Sequence, residues 1–373
     1  MRIPLFAAVL SVGLLACGDP LPPIESCEAT ETLEPICGFQ NPEDLALLPE
    51  GDLLLVSQFG SMDGAEPGSI ALFDWKSRKH WQLFPVLDTG KTFPVLDTGM
   101  PRRSPMEGWG TPDCPGEPDK AFAPHGIHLS RRGDGRLQLL VVNHGGREAI
   151  EFFEVVRKGS DVELPWRGCA LPPPDAYINS VVATPEGGFL ATHMFPKSSG
   201  RFSLLKGMAG FATGYVLEWS PRAGFTQVPG SDAAMPNGIE LSPDGKIIYL
   251  NVYLGNELKK IRRSDGKTLA SIELARPDNV RWNTDGSRLL VASPTGSFRD
   301  MLACQQQQTG SCPLGFEIVS IDPDDLSRVT LVANEGPPMG AATVAVQVGN
   351  DLYLGTFKGD RLARAPLATL ISR

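Results

Sequence analysis

The sequence lacks several features that would point to common functional classes. It contains only five histidines, and none of its seven cysteines forms a Cys-x-x-Cys pair, which argues against a zinc module. The formal net charge is −9 and no basic cluster occurs, so we expect no nucleic-acid partner. After residue 17 no apolar run could span a bilayer and no long helical pattern appears. What remains, with 40 glycines and 33 prolines, is a chain of many short strands and turns.

The N-terminal segment predicts export. Residues 1–17 contain a weakly positive start and an apolar stretch that ends in Leu14-Leu15-Ala16-Cys17, which resembles a bacterial lipoprotein signal. In this interpretation Cys17 is lipidated; the alternative is an ordinary secretory signal with an incidental cysteine. Residues 18–26 then predict a flexible tether. We therefore expect an exported protein held by its lipid at a bacterial membrane, facing the periplasm or the cell surface.

Six cysteines follow Cys17, and an even number in an exported chain favours disulfides. Proximity in the sequence suggests the pairs Cys27–Cys37 and Cys304–Cys312, which leaves Cys114–Cys169. Many other connectivities are open to six cysteines, so this pairing is one hypothesis among them.

One sequence frame recurs through the chain and determines the predicted fold. In the copy that starts at Asn237, apolar residues follow at Ile239 and Leu241, and the turn Pro243-Asp244-Gly245 leads into a second apolar run. Other copies start at Glu43, His125, Asn179, Asp278 and Ala342. Six copies of a small sheet without long helices predict an all-β fold, a six-bladed β-propeller over residues 27–373. We expect a strand from the N-terminal segment to complete one blade.

The first residues of the six copies predict a central calcium-binding channel. Because the blades of a propeller are related by rotation about the channel, these residues should form a ring at one height. The ring is rich in oxygen-bearing side chains, which are costly to bury without partners. A hard cation would satisfy them. The absence of thiolates argues against zinc, and calcium is favoured over magnesium because five protein ligands are more than magnesium usually accepts. The predicted ligands are Glu43, Asn179, Asn237, Asp278 and Asn279.

Two histidines stand beside this predicted metal site. His125 belongs to the ring, and His144 lies near the end of the next strand, where hairpin geometry can bring it close to His125. A histidine is suited to act as a general base because its ordinary pKa lies near neutrality. We predict both as catalytic; the alternative is that either one only hydrogen-bonds in the channel. His193 could line the channel mouth, whereas His80 and His128 are predicted to be structural.

Together these residues resemble the paraoxonase family of serum arylesterases and lactonases. The resemblance extends from residue 41 to about residue 366 and rests on short motifs: Glu43-Asp44-Leu45, Pro124-His125-Gly126-Ile127, Val141-Val142-Asn143-His144, Asn237-Gly238-Ile239 and Asp278-Asn279. It implies a catalytic calcium in a six-bladed propeller and a His125–His144 dyad that activates water. It also implies a second, structural calcium held by Asp44, residue 180 and the carbonyl of Ile127. Here the chain departs from the family, because Ser180 replaces a carboxylate.

The combined prediction is a calcium-dependent hydrolase of lactones or aryl esters. In this hypothesis the metal polarises the ester carbonyl, and His125, oriented by His144, deprotonates the attacking water. One alternative is a sugar lactonase or phosphotriesterase of the same superfamily. Another is a surface-anchored propeller that binds a ligand or partner without catalysis. The natural substrate is left open, because the walls of the site come from loops outside the repeat.

Overall fold

The computed structural model describes residues 21–61, 66–86 and 103–367. The predicted signal peptide with Cys17 lies outside these residues. Within them the α-helices are α1 (Gly200–Met208), which follows a 3₁₀ turn at Lys197–Ser199, and α2 (Phe298–Gln305). No helix in this part of the chain is long and apolar enough to cross a membrane.

The remaining regular structure consists of antiparallel strands in six sheets. In chain order the strands are β1 (Glu34–Cys37), β2 (Pro42–Leu47), β3 (Leu53–Gln58), β4 (Ser69–Asp74), β5 (Lys79–Phe84), β6 (Pro124–Arg131), β7 (Leu137–Asn143), β8 (Ala149–Lys158), β9 (Asp161–Glu163), β10 (Trp166–Ala170), β11 (Ala176–Ala183), β12 (Phe189–Pro196), β13 (Tyr215–Ser220), β14 (Gly224–Gln227), β15 (Pro236–Leu241), β16 (Ile247–Val252), β17 (Glu257–Arg262), β18 (Thr268–Glu273), β19 (Val280–Trp282), β20 (Leu289–Pro294), β21 (Phe316–Ile321), β22 (Arg328–Asn334), β23 (Ala342–Val348), β24 (Asp351–Thr356) and β25 (Arg361–Pro366). Blades one to five are β2–β5, β6–β10, β11–β14, β15–β18 and β19–β22.

Blade six closes the ring. It combines β23, β24 and β25 with β1, which pairs antiparallel with β25 from Glu34 opposite Arg364 to Cys37 opposite Arg361. The innermost strands β2, β6, β11, β15, β19 and β23 contact one another in that order, and β23 contacts β2 again. The predicted six-bladed propeller is therefore confirmed. The N-terminal strand that closes it belongs to the last blade, a detail that the repeat did not specify.

The repeated frame explains how the blades pack. The residue two positions after each frame start is fully buried in every blade: Leu45, Ile127, Val181, Ile239, Val280 and Val344. These side chains enter apolar clusters shared by neighbouring blades. Burial of this repeated apolar stripe supplies the main driving force for closing the ring.

The innermost strands are irregular where the frame starts. Their register against the second strand shifts at this point in blades one, two, three, four and six. Such bulges leave one residue without a partner in the sheet and change the direction in which its side chain points. Glycine is required beside two of them, because a Cβ at Gly238 would lie 2.3 Å from the carbonyl oxygen of Asp278 in the next blade. At Gly126 it would lie 2.5 Å from the carbonyl oxygen of Asn179.

The three predicted disulfides are confirmed: Cys27–Cys37, Cys114–Cys169 and Cys304–Cys312. They are typical of an exported protein. The Cys304–Cys312 bond holds the end of α2 against the start of the segment that leads to β21. Because this bond fixes one side of the channel mouth, it contributes to the site described below.

The segment before β1 packs against the propeller. Ile24 exchanges two backbone hydrogen bonds with Ser311, of 2.8 and 3.0 Å, and its carbonyl also accepts from Arg361 at 2.9 Å. Ile24, within the stretch predicted as a tether, therefore packs against the propeller.

The long connection before β6 lies on the outer edge of blade two. The Thr111 N–H donates to the Cys169 carbonyl at 2.8 Å, and Trp109 is buried in the apolar cluster between blades two and three. The Arg132 guanidinium covers the Trp109 ring at 4.0 Å. None of residues 103–120 is among the residues that line the channel cavity.

Candidate active site

The frame starts of five blades face one cavity at the channel axis. Its volume is about 70 Å³, and its polar lining consists mainly of Glu43, His125, Asn179, Asn237 and Asp278, each at most 7% exposed. In blade six the cavity is lined by Thr343, whereas the frame start is Ala342. The remaining walls are largely apolar: Phe59, Met194, Met235, Tyr253, Met301 and Phe357, with Gln305 beside them.

Backbone contacts between blades fix the height of these side chains. The Thr343 hydroxyl donates to the Glu43 carbonyl at 2.7 Å, and the Asn279 N–H donates to the Thr343 carbonyl at 3.0 Å. The Ser57 hydroxyl donates to the His125 carbonyl at 2.6 Å. Since these bonds cross blade boundaries, closing the ring places the polar residues at one level.

Asn179 and Asn237 line the cavity, Asn279 does not, and the amide nitrogens of all three asparagines have partners. Asn279 Nδ2 donates to Glu43 Oε1 at 2.8 Å, Asn179 Nδ2 lies 3.5 Å from His125 Nε2, and Asn237 hydrogen-bonds to Asp278. Among the predicted ligands, four buried oxygens are left without a hydrogen-bond partner in the described part of the chain: Glu43 Oε2, Asn179 Oδ1, Asn237 Oδ1 and Asn279 Oδ1. Buried oxygens are rarely left unpaired, and a hard cation would satisfy this set.

The electrostatics of the cavity also fit a cation. Burial, and after it the carboxylates of Asp44 and Asp278, raises the pKa of Glu43 well above its ordinary value. Burial raises the pKa of Asp278 to about 8. Within the described residues no three His, Cys, Asp or Glu side chains form a metal cluster, because three of the five predicted ligands are asparagines. The residues present therefore fit calcium, which accepts amide oxygens, better than zinc.

The two predicted catalytic histidines are in contact. His125 Nδ1 lies 2.9 Å from His144 Nε2, and His125 Nε2 lies 3.7 Å from Glu43 Oε1 at the cavity. Phe59 packs on the His125 ring at 4.7 Å, and Tyr177 stacks on the His144 ring at 4.5 Å. Burial, and then the neighbouring His144, lowers the pKa of His125 well below its usual value, so the ring is neutral near pH 7.

The other histidines lie elsewhere. His193 is buried and accepts a hydrogen bond from the Tyr177 N–H at 3.2 Å, but it is not among the residues that line the cavity. His128 accepts from the Ala183 N–H at 3.2 Å across the boundary of blades two and three. His80 stacks on Phe39 at 4.2 Å in the outer part of blade one.

The residues predicted for a second calcium are brought together around a different cation. Arg281 Nη2 donates to Asp44 Oδ2, and it also donates to the Ile127 carbonyl at 2.9 Å. Asp44 Oδ2 accepts from the Ile127 N–H as well, at 2.7 Å. A calcium ion and this guanidinium cannot both lie between Asp44 and the Ile127 carbonyl, so the set does not fit a second calcium.

Two residues of this region were missed by the sequence reasoning. Arg281 lies three residues after a frame start, as His128 and Glu240 do in other blades. Comparison of the blades at this frame position indicates that these three side chains lie at one height in the channel. Glu148 lies outside the frame, in the turn between β7 and β8, and its Oε2 is 3.0 Å from His144 Nδ1. No repeat or motif in the sequence indicates Glu148.

Known proteins share both the sequence pattern and the fold. The family model described as Arylesterase matches residues 42–362, which is most of the chain. The chain belongs to the arylesterase family. Among its relatives, serum paraoxonase/arylesterase 2 of Canis lupus familiaris is 25% identical, covering 64% of this chain and 67% of that protein. Serum paraoxonase/arylesterase 1 of Mus musculus is 26% identical over 84% of this chain and 82% of its own length.

Solved structures similar to this arylesterase-family chain support the same fold. A gluconolactonase from Xanthomonas campestris has a TM-score of 0.51 and 15% identity, covering 93% of this chain and 95% of that one. A luciferin-regenerating enzyme also has a TM-score of 0.51, with 13% identity over 90% and 94% of the two chains. At such identity these likenesses show the propeller fold alone. The family match makes the chain a hydrolytic enzyme of the propeller class.

Proposed function

We propose that this member of the arylesterase family is a calcium-dependent hydrolase of lactones and aryl esters. One observation carries the proposal: the His125 ring and the side chains of Glu43, Asn179 and Asn237, each with an unpartnered oxygen, line the same buried cavity. A general base and a cation site within a few ångströms of each other are the two elements that metal-assisted ester hydrolysis requires.

The ligands of the proposed calcium are Glu43, Asn179, Asn237, Asp278 and Asn279. When bound there, calcium supplies a Lewis acid that polarises the ester carbonyl and favours the negative charge that develops on its oxygen. The two carboxylates balance the charge of the ion, and five protein oxygens leave positions open on an ion that takes six to eight. We infer one calcium ion per chain, because Arg281 lies where the second would bind.

His125 is proposed to move the proton. Its Nε2 faces the cavity and accepts a proton from water as the water oxygen attacks the carbonyl carbon. When the ester C–O bond breaks, the same nitrogen returns the proton to the departing alkoxide or phenoxide oxygen. His144 holds the His125 ring through the contact between its Nε2 and His125 Nδ1. The apolar ring of Phe59 covers His125 and limits the access of bulk water.

The apolar walls favour aryl and aliphatic substrates over sugar lactones. The polar side chains of the wall, apart from the metal set and His125, are Tyr253, Gln305 and Thr343, and the Tyr253 hydroxyl already contacts Met301 Sδ at 2.8 Å. A sugar would leave hydroxyl groups unpaired against the methionine and phenylalanine side chains, which is costly. We therefore expect phenyl acetate and alkyl-substituted lactones to have kcat/KM values at least tenfold above that of gluconolactone, a difference of about 1.4 kcal/mol. Measured rates for this panel that favour gluconolactone would select the sugar-lactonase alternative.

Removal of calcium is the direct test of the proposed function. A soluble form that begins after Cys17 should hydrolyse the panel in calcium, lose most of its activity in a chelator and regain it when calcium is restored. Circular dichroism in the chelator would show whether the propeller remains folded, so that loss of activity is not loss of structure. A folded protein that binds calcium but is inactive throughout the panel would favour the non-catalytic ligand-binding propeller.

We also propose that the mature protein is anchored by a lipid on Cys17. The proposal is supported by the signal pattern of residues 1–17, and the three disulfides agree with an exported location. Replacement of Cys17 by Ser should release the protein from the membrane fraction. Retention of that variant would count against the anchor.

A further inference from the structure

We propose that Glu148 is a positioning residue that fixes the tautomers of His144 and His125, so that the nitrogen facing the cavity is a proton acceptor. The inference rests on the proposed hydrolytic function and extends it to a third side chain. Glu148 belongs to the turn between β7 and β8 and lies behind His144, away from the cavity lining.

The Glu148 carboxylate is held by donors from two blades. Its Oε2 lies 3.0 Å from His144 Nδ1 and 2.8 Å from Lys197 Nζ. Its Oε1 accepts from the Ile178 N–H of β11 at 2.7 Å. The side chain is only 7% exposed. With both oxygens engaged, the carboxylate cannot turn away from His144 without losing a buried hydrogen bond.

The carboxylate is ionised. Burial alone would raise the pKa of Glu148, but His144, Lys197 and the Ile178 N–H outweigh it, so the pKa lies below its ordinary value. An ionised carboxylate can only accept hydrogen bonds. His144 Nδ1, which faces Glu148, must therefore carry a proton.

This assignment propagates to the cavity. When His144 carries one proton, that proton is on Nδ1, and its Nε2 can only accept the hydrogen bond across the 2.9 Å contact with His125 Nδ1. The proton of His125 is then on Nδ1, and its Nε2 at the cavity is unprotonated. The Asn179 amide nitrogen, 3.5 Å from that atom, is a donor and agrees with the same assignment. Glu148 thus determines whether His125 Nε2, on the second imidazole ring from the carboxylate, carries a proton.

Glu148 also favours the protonated state that catalysis creates. When His125 accepts a proton it becomes positively charged, and this charge is shared through His144 toward the carboxylate. A carboxylate that holds an imidazole in one tautomer and stabilises its cation is the role played by the aspartate of serine-protease triads. Here two imidazole rings, in place of one, lie between the carboxylate and the cavity.

A purely structural role is the competing explanation, because Glu148 also ties blade two to β11. The substitution Glu148→Gln separates the two. Gln keeps the size of the side chain, and its oxygen can still accept from the Ile178 N–H. Its amide nitrogen then faces His144 Nδ1 and donates to it, which forces the proton of His144 onto Nε2 and that of His125 onto the nitrogen at the cavity.

We expect Glu148→Gln to lower kcat by about 10–100-fold, with KM changed by less than about twofold. Glu148→Ala should lower kcat less than Glu148→Gln does, because it removes the acceptor without adding a donor. The control is Glu163→Gln, which removes an exposed ion pair with Lys158 that has the same 2.8 Å length as the Glu148–Lys197 contact, and it should behave as the wild type. A wild-type kcat for Glu148→Gln, alongside a defective His125→Gln, would overturn the proposal and leave the proposed function standing.

A measurement independent of turnover completes the test. In calcium-loaded protein labelled with ¹⁵N-histidine, the His144 ring should carry its proton on Nδ1, and in Glu148→Gln on Nε2. A wild-type His144 protonated on Nε2 would refute the proposal even if no substrate were turned over. A wild type inactive on the whole panel, but with the expected tautomers, would refute the hydrolytic function and leave the positioning role intact.

Discussion

Replacement of His125 by Gln should lower kcat by about 10²–10⁴-fold, the usual contribution of a general base. Gln can occupy the space of the buried ring against Phe59 and can keep a hydrogen bond to His144, but it cannot accept and hold a proton. Because His125 is not among the proposed calcium ligands, calcium affinity should change little. The measurements are kcat and KM on phenyl acetate and one lactone, with calorimetric titration of calcium on the same samples.

The control for this substitution is His80→Gln, in which the histidine stacks on Phe39 in the outer part of blade one and has no contact with the cavity. It should retain wild-type turnover. Full activity in His125→Gln would remove His125 from the mechanism while leaving the metal site in place. Loss of activity together with loss of calcium binding would instead show that His125 maintains the geometry of the metal ligands.

The propeller and the polar residues of its cavity could be predicted because both follow from the repeat. A frame start occupies the same place in each blade, so closing the ring necessarily collects Glu43, Asn179, Asn237 and Asp278 around the channel. Blade six is the exception among the frame starts: the strand bulges there, and Thr343 lines the cavity in place of the frame start Ala342. The alternation of side chains along a regular strand does not predict a bulge, which places the adjacent residue at the cavity instead.

The apolar walls and Glu148 could not be predicted, because they come from segments whose length and course vary from blade to blade. Met301 and Gln305 reach the cavity only because α2 is inserted between β20 and β21 and fixed by the Cys304–Cys312 disulfide. Glu148 reaches His144 through a turn between two strands, where sequence separation does not determine which way a side chain points. The repeat therefore determines the scaffold, whereas substrate preference and proton positioning depend on the turns and insertions.

Arg281→Met should reduce the free energy of unfolding of the calcium-free protein by about 3–5 kcal/mol, the usual cost of leaving a buried charge without its partner. Met approximates the length of the side chain but removes the guanidinium from Asp44, which is fully buried, and from the Ile127 carbonyl. The carboxylate would keep only two backbone donors, the N–H groups of Leu45 and Ile127. Urea unfolding with the disulfides intact is the appropriate measurement.

Arg288→Met provides the matched control. Arg288 pairs with Asp322 at 3.1 Å, but both side chains are about one-third exposed, so its loss should cost no more than about 1 kcal/mol. A double variant, Asp44→Asn with Arg281→Met, should recover part of the loss because neither charge is then left buried alone. Equal and small effects of Arg281→Met and Arg288→Met would show that the buried pair contributes little to stability.

The same variant tests whether a guanidinium has taken the place of a metal ion. Asp44 comes from blade one, the Ile127 carbonyl from blade two and Arg281 from blade five, so a single positive charge joins three blades at the channel. We expect the wild type to bind one calcium ion per chain. Arg281→Met frees the same oxygens, and at high calcium its bound metal should rise above one and its stability should partly recover. Two ions in the wild type would contradict this account, since the guanidinium and a second calcium compete for the same two oxygens.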